Sequence, residues 1–129
     1  MYMDTAKRHI LIVEDEFLLG NLLKQRLERG GYGVTIFRNG VDVLSFLAAN
    51  AADLVLLDVI MPGLSGFEFM ETMMADPKYH KPPVIFISNL GQEGDVKRGE
   101  ALGAVGYFVK AKVSMDEIVQ NIDLFFSKN

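Results

Sequence analysis

Leu54-Val55-Leu56-Leu57-Asp58-Val59-Ile60-Met61-Pro62-Gly63-Leu64-Ser65-Gly66-Phe67-Glu68 is the stretch that decides the fold. Its first four residues form an unbroken apolar run of strand length, the pattern of a parallel strand covered on both faces. Asp58 ends that run, and a turn around Pro62 follows. Ser65-Gly66-Phe67-Glu68 is a capping box, in which hydroxyl and carboxylate satisfy each other's free backbone donors, so a helix starts there. The unit is therefore a buried strand, a loop and a capped helix.

The same unit recurs on both sides. His9-Ile10-Leu11-Ile12-Val13, Val34-Thr35-Ile36-Phe37, Val84-Ile85-Phe86-Ile87 and Val105-Gly106-Tyr107-Phe108-Val109 read as four more strands. Leu19, Leu22, Leu23 and Leu27 repeat at helical spacing, as do Met115, Ile118, Val119 and Ile122, and each set predicts one apolar stripe. Ser114-Met115-Asp116-Glu117 is a second capping box. Met70, Met73 and Met74 read as core filler on the third helix. The fourth helix reads as the weakest element, with Gly94 and Gly99 inside it and only Val96, Ala101 and Leu102 to bury. Five alternations of strand and helix predict an α/β fold, (βα)5, with a parallel sheet between two helical layers.

At 129 residues, half of them hydrophobic, the chain fits one domain over residues 1–129, with residues 1–8 as a flexible N-terminal lead. The net charge of −4, with no cluster of Lys and Arg, argues against direct nucleic-acid binding. With no cysteine, disulfides, thiolate metal sites and thiol nucleophiles are excluded, and a cytoplasmic location is the default. No apolar run approaches the length that spans a bilayer, so no membrane partner is expected.

In parallel sheets ligands sit at the carboxyl ends of the strands. The first run ends in Glu14-Asp15, the third in Asp58, the fourth in Ser88 and the fifth in Lys110. Three carboxylates sent to one edge repel, and a hard cation with oxygen ligands relieves them most simply. Such a metal beside an ammonium and a hydroxyl suits phosphoryl transfer, in which a carboxylate can be the nucleophile. Singly, each residue has a plainer reading: Glu14-Asp15 as a helix start, Asp58 as a turn cap, Ser88 as a loop hydroxyl, Lys110 as a solvated cation, and Tyr107 as a buried ring. Only their joint placement favours the functional reading. His9 and His80 stay structural.

Ile12-Val13-Glu14-Asp15-Glu16, Leu57-Asp58-Val59-Ile60-Met61-Pro62-Gly63-Leu64-Ser65-Gly66, Ile87-Ser88 and Gly103-Ala104-Val105-Gly106-Tyr107-Phe108-Val109-Lys110 resemble the hallmark segments of response-regulator receivers, in order and over nearly the whole chain. The resemblance implies a flavodoxin-like doubly wound sheet of strand order 2-1-3-4-5, and a two-component phosphorelay switch. It makes Asp58 the phosphoacceptor and assigns Mg²⁺ (or Mn²⁺) to Glu14, Asp15, Asp58 and the backbone carbonyl of Ile60. It places Ser88 and Lys110 on the phosphoryl group, and makes Ser88 and Tyr107 the switch pair. The implied partners are a sensor histidine kinase or a histidine phosphotransferase, and an effector reached through the α4-β5-α5 surface. Homodimerisation through the fourth and fifth helices has no apolar stripe to support it. An end just past the fifth helix fits a single-domain regulator or an isolated receiver.

Several positions depart from the family pattern. Lys110 is followed by Ala111 where proline is usual, so the bond is expected to be trans or strained, since a cis bond to a non-proline residue costs about 3 kcal/mol. Glu14 stands where Asp is commoner, and its longer side chain is expected to meet the metal through water. Asn89 takes a position usually held by a smaller residue and narrows access to the phosphoryl group. Ile60 and Leu90 give an attacking water no polar group, which predicts slow self-dephosphorylation. A non-phosphorylated receiver-like interaction module sits poorly with the complete acidic set and Lys110. A Mg²⁺-dependent phosphatase of the haloacid dehalogenase type expects a second acid where Ile60 stands. A flavin carrier is opposed by the acidic turn after the first strand.

Overall fold

The computed structural model of the chain describes residues 7–128. Strand and helix alternate as β1 (His9–Val13), α1 (Phe17–Arg29), β2 (Gly33–Phe37), α2 (Gly40–Ala49), β3 (Leu54–Leu57), α3 (Gly66–Ala75), β4 (Val84–Ser88), α4 (Glu93–Ala101), β5 (Gly106–Val109) and α5 (Met115–Lys128). A single 3-10 turn, Lys110–Lys112, joins β5 to α5. The sheet is parallel throughout, in the order β2-β1-β3-β4-β5. Of the lead expected over residues 1–8, residues 1–6 lie outside the described residues. Arg8 is tied in: its carbonyl accepts from the Gly33 N–H, and its guanidinium lies 4.8 Å from the centroid of the Phe126 ring.

The unbroken apolar runs are explained by two cores, one on each face of the sheet. Alternate residues of each strand serve opposite sides. Leu11, Val13, Val55, Leu57, Val84 and Phe86 face α2 and α3, whereas Ile10, Ile12, Leu54, Leu56, Ile85 and Ile87 face α1 and α5. Both predicted capping boxes form, at Ser65 with Glu68 and at Ser114 with Glu117.

Four expectations need correction. Met70 and Met73 are buried, but Met74 is 48% exposed and reaches sideways toward Gly103. Leu22 is exposed, so the α1 stripe is carried by Leu23 and Leu27, with Leu19 packed at its edge; the three-turn helix touches the sheet along one narrow line. Val105 lies outside β5 and is exposed, although its N–H donates to the Val84 carbonyl. In α4 the buried residue is Gly99, while Ala101 is exposed and Val96 and Leu102 are half-buried. A Cβ on Gly99 would stand 3.1 Å from both the Phe86 and Tyr107 rings, so this glycine is a close-approach point between helix and sheet.

Candidate phosphoacceptor site

The carboxyl ends of β1, β3, β4 and β5 converge, and the parallel register sets how. The Asp58 N–H donates to the Val13 carbonyl at 3.1 Å, which fixes the β3 loop directly against the turn that follows β1. Gly66 allows the return of the chain: a Cβ there would come within 2.4 Å of the Asp58 carbonyl oxygen and 2.8 Å of the Val59 Cα. Its N–H donates to the Val59 carbonyl at 2.8 Å, so the start of α3 braces the loop carrying Asp58.

Asp58 is buried, and its two oxygens are separately engaged. Oδ1 accepts from the Ile60 N–H at 3.1 Å, and Oδ2 accepts from Lys110 Nζ at 2.9 Å. Glu14 is 3% exposed; Oε1 lies 2.9 Å from Lys110 Nζ, and Oε2 accepts from the Glu16 N–H at 3.0 Å. A third acid joins them, with Glu16 Oε2 2.5 Å from the same ammonium. Glu14, Glu16 and Asp58 each bring an oxygen within 4.8 Å of the other two. One ammonium thus faces three carboxylates.

Burial raises the Glu14 carboxyl from its ordinary 4.5 to about 7, with the Asp58 charge adding to it; hydrogen bonds from Lys110 and the Glu16 N–H pull the other way without prevailing. Burial also works against the charged form of Lys110, but hydrogen bonds to Glu16, Asp58 and Glu14 outweigh it and raise its pKa, so the ammonium persists.

Asp15, the other half of the predicted acidic pair, is exposed and falls outside this trio, with no hydrogen bond or ion pair among the described residues. Ser88 is the last residue of β4, fully buried, and its Oγ accepts from the Leu90 N–H at 3.1 Å. Tyr107 is turned onto the same loop: its hydroxyl donates to the Leu90 carbonyl at 2.5 Å and its ring packs 5.7 Å from that of Phe86. Burial raises the Tyr107 pKa, so its hydroxyl remains a donor. No cis peptide occurs among the described residues, so Lys110-Ala111 is trans. The Ile60 side chain is exposed, Asn89 is exposed, and Leu90 is packed on the core. His9 and His80 keep structural places: His9 Nε2 lies 2.8 Å from Thr35 Oγ1, and the His80 N–H donates to the Leu47 carbonyl.

Glu16 is the site residue that sequence reasoning passed over. It sits two positions after Glu14 and directly before α1, where an acid has an ordinary explanation beside a helix N-terminus, and only the tertiary contact with Lys110, 94 residues away, singles it out.

Comparison with known proteins agrees with this geometry. The family model of the response regulator receiver domain matches residues 10–123. The chain is 37% identical over 123 residues to the uncharacterized transcriptional regulatory protein YkoG of Bacillus subtilis, covering 95% of this chain and 53% of that protein. Over 115 residues it is 29% identical to the polar-differentiation response regulator DivK of Brucella anthropi, covering 89% of this chain and 93% of the other. Among solved structures, the non-phosphorylated HemR receiver domain of Leptospira biflexa superposes with a TM-score of 0.81 at 31% identity, covering 91% of this chain and 92% of that one. The chain belongs to the response regulator receiver family, the signalling switches of two-component systems. It spans about half the length of several curated relatives, including the transcriptional regulatory protein PcoR of Escherichia coli at 45%. No helix among the described residues is long and apolar enough to cross a membrane.

Proposed function

We propose that Asp58 accepts a phosphoryl group from a phosphohistidine of a sensor kinase or phosphotransferase, with Mg²⁺ (or Mn²⁺) as the resident cation. The observation that carries this reading is the Lys110 ammonium 2.9 Å from Asp58 Oδ2, at a strand-end pocket walled by two further carboxylates. Clustered carboxylate oxygens are the donor set that a hard divalent cation takes. Glu14, Asp15, Asp58 and the Ile60 carbonyl are the proposed holders, and the cation would neutralise charge on the phosphoryl oxygens.

The chain's own residues do the rest. An Asp58 carboxylate oxygen forms the new bond to phosphorus while the phosphorus–nitrogen bond to the donor imidazole breaks, and that imidazole leaves with the electron pair and takes up a proton. Lys110 and the Ser88 hydroxyl bind oxygens of the transferred group. Drawing the Ser88 loop toward that group changes the loop that Tyr107 grips through the Leu90 carbonyl, and the change passes to the α4-β5-α5 face and its effector. The lack of cysteine supports a reducing, cytoplasmic setting.

Intact mass after incubation with Mg²⁺ and acetyl phosphate tests this. The expected result is a single phosphoryl adduct on the wild type, absent from Asp58→Ala and abolished by chelator. No adduct together with no Mg²⁺ binding by titration would move the reading to a non-phosphorylated interaction module. The apolar Ile60 and Leu90 beside the site predict a long-lived adduct; its loss within seconds without a phosphatase would refute that.

A further inference from the structure

Lys110 has three N–H donors and faces three carboxylates: it donates to Asp58 at 2.9 Å and to Glu16 at 2.5 Å, and Glu14 Oε1 pairs with it at 2.9 Å. The three acids are not equivalent. The side chains of Glu14 and Asp58 are 3% and 6% exposed, so each depends on the ammonium to offset its burial. That of Glu16 is 56% exposed, and water can solvate it when the contact opens. A phosphoryl oxygen reaching for Lys110 competes with these carboxylates, and Glu16, the most exposed of them, is the one whose departure costs least. While it stays, its charge occupies a donor and repels an arriving phosphoryl group.

We infer that Glu16 is a positioning residue of negative effect, a releasable latch that holds Lys110 in the unphosphorylated state and slows acceptance of the phosphoryl group by Asp58. This rests on the proposed phosphoacceptor role of Asp58. The latch acts through Lys110, and because Glu16 also brings an oxygen within 4.8 Å of Glu14 and Asp58, the rate of acceptance and the Mg²⁺ affinity are measured side by side to tell a latch from a metal ligand. It also gives the exposed acid after Asp15 a function that its place at the start of α1 does not require, since Glu16 makes no side-chain capping bond there.

The test compares wild type, Glu16→Gln and Glu16→Asp in the full chain, following adduct formation by intact mass with acetyl phosphate at saturating Mg²⁺, and Mg²⁺ affinity by calorimetric titration. Glu16→Gln removes the charge and keeps the shape, and it is expected to accept phosphoryl groups about two- to fivefold faster, the range of a single partly exposed ion pair. The gain should shrink at high ionic strength, which a purely structural defect would not show. Mg²⁺ affinity should stay at the wild-type value, and Glu16→Asp, which keeps the charge, should return the rate toward wild type. A Glu16→Gln rate equal to or below that of the wild type overturns the latch. A clear loss of Mg²⁺ affinity also overturns it and makes Glu16 a metal ligand. Failure of the wild type itself to form an adduct would instead remove the phosphoacceptor reading on which the latch rests.

Discussion

Lys110 carries more of this molecule than its single charge suggests. It bridges Glu14 and Asp58, both buried, and no other cation pairs with either acid among the described residues. Lys110→Ala should therefore lower the stability of the metal-free protein by about 3 kcal/mol, the cost of breaking a buried pair from one side. Urea unfolding with and without Mg²⁺ checks this, and Mg²⁺ is expected to recover more stability in the variant than in the wild type, since it then becomes the only neutralising charge. The same scale shows what a list of residue types can and cannot say. Asp58, Ser88 and Lys110 were legible because each ends an apolar run. Asp15 and Glu16 were not separable, because neighbouring acids on one loop differ only in where their side chains turn, and that is set by Lys110 on a distant strand.

At the scale of elements, two glycines mark α4 as weak in the sequence, and the structure divides them. Nothing stands within 4 Å of a Cβ built on Gly94, whereas one on Gly99 would press on two aromatic rings at 3.1 Å. Gly94→Ala should stabilise the domain by about 0.5–1 kcal/mol by restricting the unfolded chain. Gly99→Ala should destabilise it by about 1–3 kcal/mol through overpacking. Chemical denaturation of the two variants decides whether the glycines act as opposites. A third N-terminal device in α4 also escaped the sequence: the Gln92 N–H donates to Asp95 Oδ2 at 3.2 Å, half of a capping box whose first residue is not a usual cap. With a single buried residue, α4 is the least anchored helix on the sheet.

For the whole molecule, the buried acid pocket sets a pH dependence. The folded state holds the Glu14 proton up to about 7, whereas the unfolded chain releases it near 4.5. The native state thus binds more protons between those values, so the stability this group contributes is complete below 4.5 and is lost as pH rises through about 7. In the presence of chelator the thermal midpoint of the wild type should fall between about pH 5 and about pH 8, and Glu14→Gln should flatten that slope. A wild-type midpoint that rose over the same range would contradict the placement of Glu14.

By itself, the order of residues determined the parallel α/β architecture, the capped starts of α3 and α5, and the edge of the sheet at which Glu14, Asp58, Ser88 and Lys110 gather. These are written in short-range terms, as period, run length and the polar residue that ends each run. Only the tertiary structure decided that Met74 and Leu22 face outward, that Gly99 is a contact point, and that Glu16 shares Lys110 with Glu14 and Asp58. Those outcomes depend on how closely two distant segments approach, a quantity fixed by packing both faces of the sheet at once, and no local pattern encodes it.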